Sequence, residues 1–389
     1  MTDRKKLVMV ASIDTTQLNG PAIHLCSLVR HFVGNGYDVT LIIPAHEGRP
    51  ALPLPSEHLH VVRTRRLKTG PIPNSLGVFT QLPALWRYRK RGVLHIRSAP
   101  LSFILTAAAR LFRYKRIILE INGWLADEVD TLGFPSIVGK IMARTQLVEA
   151  GLADAVRVVS PGLEAIFRQA RDDVPIALIE NGTDLSIYQP LDRRSCRERL
   201  GLSAKGKYLA FSGNLVPWQD LPTVFAAMAA LEVEGERVEL LIAGAGPALE
   251  MFKSAARQSC GLDRVHFFGP LPPQEVNVIL NAADVAVAPF TSGRNTHTGI
   301  SPLKIRDYAA AGCITVSNSL PGMERLENEP WISLVPCQDA SALAAALSER
   351  LHLADDEADA MRNAAREYAK RHFDWREVVR QLDQLITGD

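Results

Sequence analysis

Two successive sets of short, continuously apolar, β-branched segments govern what this chain can fold into. The first set runs KLVMVAS (6–12), DVTLIIP (38–44), LHVVRT (59–64), VLHIRS (93–98), RIILEI (116–121), AVRVVS (155–160) and PIALIE (175–180). Runs without polar alternation mark strands buried on both faces of a parallel sheet. Helix-patterned segments separate them. GPAIHLCSLVRHFVGNG (20–36), for example, has helical spacing and closes on glycine. After ENGTDLSIYQPLDRR (180–194) the pattern restarts with KYLAFSGN (207–214), VELLIAGAG (238–246), VHFFG (265–269), DVAVAPF (284–290), CITVSN (313–318) and WISLVP (331–336). Strand–helix alternation carried out twice implies an α/β chain of two doubly wound domains. We place the first at 1–180 and the second at 195–370, with the polar, proline-containing segment near 181–195 as hinge. The tail from about Asp355 to Ile386 is helical and charged. Its last part, 371–389, forms a terminal helix for which the amino-terminal domain is the candidate packing surface. In doubly wound sheets, ligands bind at the carboxyl ends of the strands.

With hydrophobic residues at 47%, the chain can build sizeable cores without disulfide or metal. The five cysteines, Cys26, Cys196, Cys260, Cys313 and Cys337, are scattered and form no C-x-x-C pair, which argues against a disulfide framework or a zinc site. No secretory pattern precedes the first strand, and no apolar run approaches the ~20 residues of a membrane span. A cytoplasmic location is therefore expected. Charge is uneven: residues 1–180 carry 23 Lys and Arg against 15 Asp and Glu, the remainder 21 against 27. The basic clusters RTRRLK (63–68), RYRKR (87–91) and RLFRYKR (110–116) interleave with Trp86, Tyr88, Phe112 and Tyr114. That mixture fits contact with an anionic membrane surface and matches no nucleic-acid motif.

TGISPLKIRDYAAAG (298–312) carries the sharpest anomaly. Ser301 and Pro302 read as cap and first residue of a helix. The helix dipole makes that end positive, yet the first turn holds Lys304 and Arg306. A bound anion removes the contradiction, since helix amino termini take phosphate readily. Lys304 then pairs with a diphosphate, which the backbone of Gly299, Ile300 and Ser301 approaches. On that reading Asp307, one turn further on, accepts two hydroxyls, as from a ribose; the alternative is that Lys304 and Arg306 are solvated and Asp307 caps a surface turn.

SPLKIRDYAAAGCITVS resembles the donor-binding helix of GT-B glycosyltransferases of family 4, the group 1 glycosyltransferases. ENGTD (180–184), GNLVPWQDLPTVFAAMA, LLIAGAGP (240–247), VHFFGPLPPQEVNVILNAADVAVAPF, HIRSAP and LEINGW resemble further parts of that family, in order along nearly the whole chain. The resemblance implies two Rossmann-like domains facing across a cleft. It also implies retaining, metal-independent transfer of a sugar from a nucleotide-sugar to a hydroxyl of a glycan or lipid-linked acceptor, with no cofactor. Cell-surface polysaccharide biosynthesis at the inner membrane face is the setting it fits. The implied donor site comprises Gly213, Asn214, Gly299, Ile300, Ser301, Pro302, Leu303, Lys304 and Asp307. The implied acceptor side comprises Gly20, Arg97 and Asn122, and the catalytic candidates are Asn122, Glu120 and Lys304.

The chain departs from the family pattern at several positions. The first of the family's two glutamates falls on Gly299 and the second on Asp307. The usual Arg and Lys after the first strand of the nucleotide domain fall on Asn214 and Gln219, and the usual first-domain histidine falls on Asn122. Lys304 is then the best cation for the diphosphate, with Arg294 and Arg306 as further candidates. Two alternatives stand beside transfer. One is another enzyme on the same fold, such as an epimerase or phosphorylase. The other is a degenerate scaffold binding nucleotide-sugar or a partner. His24, His95 and His297 are isolated in sequence and without metal-ligand spacing. GAGP (244–247) lacks the rest of a dinucleotide fingerprint, and no nucleophile elbow is present.

Overall fold

Each of the thirteen apolar runs contains a strand. The computed structural model describes residues 4–67, 75–131, 133–293 and 298–388; Lys68, Arg294 and His297 lie outside them. The first seven strands are β1 (Lys5–Val10), β2 (Tyr37–Pro44), β3 (Leu59–Thr64), β4 (Val93–Arg97), β5 (Arg116–Ile121), β6 (Ala155–Val158) and β7 (Ile176–Leu178). They form one sheet in the order β3-β2-β1-β4-β5-β6-β7, parallel throughout. The six that follow are β8 (Lys207–Ser212), β9 (Val238–Ala243), β10 (Val265–Gly269), β11 (Val285–Ala288), β12 (Thr315–Asn318) and β13 (Ile332–Val335). They form a second parallel sheet in the order β10-β9-β8-β11-β12-β13. Both are doubly wound Rossmann-like sheets, as the alternation implies. Strand order reverses between β1 and β4 in one and between β8 and β11 in the other, the points where such sheets take ligands.

The chain divides into two units. One is built around Pro21–Asn181 with Trp375–Asp389, the other around Gly182–Asp374. The helices of the first are α1 (Gly20–Gly34), α2 (Val78–Tyr88), α3 (Phe103–Leu111), α4 (Leu125–Thr131), α5 (Ser136–Leu152) and α6 (Pro161–Ala170). Those of the second are α7 (Arg193–Leu200), α8 (Leu221–Val233), α9 (Leu249–Ser259), α10 (Pro273–Ala282), α11 (Leu303–Ala310), α12 (Ala340–Leu351) and α13 (Asp355–His372). The helical tail breaks at Phe373–Asp374, and α14 (Trp375–Thr387) returns to the first unit. There Trp375, Val379 and Leu382 join a core with Leu25, Phe32 and Leu41. Lys5 bonds Asp383 at 2.7 Å, and Arg116 bonds the Leu385 carbonyl at 3.0 Å.

Cap chemistry trims the strand ends. Ser160, read as the end of a strand, instead caps α6 by accepting from the Leu163 amide, with Pro161 in the first turn. The expected cap of α11 does not form. Pro302 occupies the cap position with extended backbone (ψ 120°) and makes no side-chain cap bond. The reason is Arg306, whose guanidinium reaches back to the Ser301 hydroxyl (2.7 Å) and carbonyl (3.1 Å). A charge-assisted bond to the guanidinium takes the hydroxyl in place of a helix amide.

Candidate functional site

In the second unit, the carboxyl end of β8 and the start of α11 bring the donor candidates together. Gly213, directly after β8, has φ +140°, and a Cβ there would meet Lys304 Cε and Nζ at 3.4 Å. Glycine thus lets the lysine lie against the backbone. Lys304 Nζ sits 4.0 Å from the Phe211 ring centroid and 5.1 Å from that of Phe290, and it donates to Gln219 Oε1 at 2.5 Å. Burial pushes its pKa well below the ordinary lysine range, and among the described residues no carboxylate offsets that burial. Gly299, with φ +64°, packs its α-carbon against the Pro321 carbonyl, where a Cβ would meet oxygen at 2.8 Å; the Ile300 amide donates to the same carbonyl at 2.8 Å. Asn214 follows Gly213 at the exposed edge of this turn. Leu303 opens α11, and Ser301, Pro302 and Leu303 are half-buried.

Asp307 and Arg306 both have partners in the fold. Thr183 donates to Asp307 Oδ1 at 2.6 Å, and Tyr188 bonds the same carboxyl, so Asp307 fastens the segment after residue 182 to α11. Burial pushes the Asp307 carboxyl up to about 7, against the pull of Thr183, Arg306 and Tyr188. Arg306, one of the diphosphate cations expected from sequence, is 2% exposed and clamps Ser301 while lying over Phe373. Its role here is structural.

In the first unit, the candidates Arg97, Glu120 and Asn122 converge on one buried hub. Arg97, Glu120 and Arg157 lie in register across β4, β5 and β6. Glu120 is 1% exposed, and its carboxylate receives Arg157 Nη1 (2.9 Å), Arg97 Nη1 (3.2 Å), His24 Nε2 (2.9 Å) and the Asn122 amide, while His95 Nε2 stands 3.3 Å away outside hydrogen-bond geometry. Burial alone would raise the Glu120 pKa, but His24, Arg157 and His95 hold it well below the usual carboxylate range. Arg157 also donates to the carbonyls of Ile179 and Glu180 and to the Asn181 side chain. Glu120 therefore organises its neighbours from within, while Arg97 and Asn122 keep partly exposed surfaces. Gly20 opens α1 with ordinary backbone geometry. Among the described residues, no group of three His, Cys, Asp or Glu side chains could hold a metal.

Comparison with known proteins places this geometry. The family model described as Glycosyltransferase Family 4 matches residues 18–187, and that of Glycosyl transferases group 1 matches 206–352. The chain belongs to the group 1 GT-B glycosyltransferases. It is 27% identical over 281 residues to a D-inositol 3-phosphate glycosyltransferase of Corynebacterium efficiens, covering 68% of this chain and 62% of that protein. It is also 27% identical to the GDP-mannose-dependent alpha-(1-6)-phosphatidylinositol monomannoside mannosyltransferase of Mycobacterium tuberculosis, covering 75% and 74%. The chain spans between about half and 62% of the length of the first several relatives it matches. A solved sucrose-phosphate synthase from Thermosynechococcus elongatus shares the fold, with TM-score 0.81 and 21% identity over 98% of both chains.

Several working parts of this group 1 family member escape sequence reasoning. Gln219, read only as a missing cation, orients the cation that remains. His24 and His95, read as isolated, meet at Glu120, and Arg157 went unmarked. The available signal was a single charged residue inside each of three apolar strand runs. Tyr114, expected at a membrane surface, is instead 5% exposed and donates to the Leu85 carbonyl; Tyr88 is half-buried beside His60. Trp86 does face outward, with Phe79 and Leu111, stacked under Arg89 at 3.7 Å and edge-on to Phe112.

The hub makes stability sensitive to acid. Burial pushes His24 and His95 down to about 4 against the pull of Glu120, so both are neutral at pH 7. The unfolded chain binds more protons between pH 6.5 and 4, so stability is full above 6.5 and falls as pH drops through that window. The first protonation costs on the order of 3 kcal/mol. Melting temperature measured from pH 7 to 4 is expected to fall, and a His95→Gln variant to flatten part of the slope.

Proposed function

We propose that the protein is a retaining, metal-independent glycosyltransferase that moves a sugar from a nucleotide-sugar to a hydroxyl of a glycan or lipid-linked acceptor, in cell-surface polysaccharide biosynthesis. One observation carries the reading: Lys304, desolvated over aromatic rings with no carboxylate among the described residues to balance it, lies against Gly213 at the switch point of the second sheet. A diphosphate supplies the missing negative charge. Lys304 and the backbone amides that open α11 from Leu303 would stabilise that diphosphate as it departs, a task electrostatics can perform. Asp307 would accept the ribose hydroxyls, and Gly213 and Asn214 would border the donor. Arg97 and Asn122 would meet the acceptor near Gly20, with Glu120 orienting both. The reaction takes no cofactor beyond its co-substrate.

The exposed Trp86, Phe79 and Leu111, set among Arg87, Arg89, Lys90 and Arg113, support a peripheral location on an anionic membrane face from the cytoplasm. Among the described residues no helix is long and apolar enough to cross a membrane. The deciding experiment is thermal denaturation against UDP, GDP, ADP and their sugars. A ligand that binds only folded protein raises the melting temperature, by an amount equivalent to about 2.7 kcal/mol at a hundredfold excess over Kd. A rise with one nucleotide, lost in Lys304→Ala, is the expected result. No rise with any nucleotide overturns the reading in favour of a degenerate scaffold.

A further inference from the structure

The inward face of α5 carries two polar side chains where packing alone calls for apolar ones. Gln146 and Glu149 are each 1% exposed and stand one turn apart. Gln146 donates to Ser98 Oγ (3.2 Å) and to the Gly123 carbonyl (3.1 Å), while its Oε1 accepts from the Leu125 amide (3.1 Å). Glu149 accepts from Ser98 Oγ (3.0 Å) and Thr106 Oγ1 (2.9 Å). Ser98 directly follows Arg97, and Gly123 directly follows Asn122. The two side chains thus tie the loop after β4 to the loop after β5. We propose that Gln146 and Glu149 are positioning residues that hold these two loops in fixed register, so that Arg97 and Asn122 present to the acceptor together. The proposal rests on the assignment of the acceptor to the first unit.

A brace of this kind is costly unless it serves geometry. A buried carboxyl without a cation is unfavourable, and an apolar residue of similar shape packs at lower cost. Burial pushes Glu149 up to about 7, against the hydroxyls of Ser102, Thr106 and Ser98. Among the described residues no charged group shares in that shift. The charged side chains on the elements packed against α5 are Arg110 on α3, Asp127, Glu128 and Asp130 on α4, and Glu164 and Arg168 on α6. Of these, Arg110 pairs with Asp154, and Arg168 with Glu164. Lys140 and Arg144 of α5 itself are exposed. Once ionised, Glu149 accepts from both hydroxyls. Once protonated, it carries a proton on one oxygen, and the hydroxyl that donated there must turn its own proton away. The brace therefore tightens as pH rises through 7.

Two variants test this: Gln146→Leu and the isosteric Glu149→Gln. Gln146→Leu is expected to raise the acceptor KM about tenfold while leaving the nucleotide-induced melting shift unchanged. Glu149→Gln is expected to remove an inflection near pH 7 from the acceptor kcat/KM profile. Hydrogen exchange supplies a readout that needs no turnover. After correction for intrinsic rates, exchange of the Leu125 amide and the 98–102 segment should slow between pH 6 and 8 in the wild type but not in Glu149→Gln. Exchange that ignores pH in the wild type, or an unchanged acceptor KM and pH profile in both variants, overturns the brace. Failure of the wild type to transfer any sugar, with the exchange pattern intact, overturns the assigned reaction and leaves the brace standing.

Discussion

Glu120→Ala is expected to destabilise the first unit by about 3–5 kcal/mol, the usual cost of breaking a buried ion pair from one side. The substitution leaves Arg157, whose side chain is 0% exposed, without its carboxylate, and removes the shared acceptor of Arg97, His24 and Asn122. A loss of that size is a large share of the 5–15 kcal/mol typical of a whole domain. It should appear as a lower denaturant midpoint together with faster exchange in β4, β5 and β6. Activity of the surviving folded fraction separates the two roles open to this residue. A group that organises Arg97 and Asn122 loses stability and turnover together in Glu120→Ala, and recovers part of both in Glu120→Gln. A group that handles a substrate proton would lose turnover in Glu120→Gln with the midpoint unchanged.

Lys304→Met is expected to behave in the opposite way. Turnover should fall about 10²–10³-fold, as when one preorganised electrostatic donor is removed from a reaction centre. Stability should hold or rise, because methionine keeps the aliphatic contacts with Phe211 and Phe290 and removes a desolvated cation that no carboxylate among the described residues balances. The pairing of a higher melting temperature with lost activity marks a residue kept for chemistry rather than for folding. Gln219→Leu should show a smaller version of the same pattern, since it removes the hydrogen bond that orients the ammonium. A Lys304→Met protein that melts earlier and transfers normally would show that the lysine serves packing.

How much of this was legible in the sequence varies with the distance over which the physics acts. Strands buried on both faces write themselves as continuous apolar runs, so all thirteen could be read, with several ends overrun by one to three residues, as at Ser160, which caps a helix. α2 was hidden because Pro83 sits inside it. Lys304 was legible as a local contradiction between charge and dipole. Its setting was not, since Gln219 and Phe290 reach it from other segments of the second unit. The Glu120 hub needed the strand order β4-β5-β6 before Arg97 and Arg157 could be seen to flank it. His24 enters from α1, and no spacing rule connects it to residue 120. Ser301 misled because the cap rule weighs neighbours three residues away, whereas Arg306 competes from five.

The return of α14 to the first unit has a consequence for how the protein is made. Trp375, Val379 and Leu382 complete a core whose members outside α14, from Leu7 to Ile179, leave the ribosome earlier. Every residue of the second unit between Gly182 and Asp374 must be synthesised before that core can close. Until then the nascent chain carries an uncovered apolar surface, the kind of exposure that invites aggregation and chaperone capture. The half of the protein that is translated first is the half that finishes folding last.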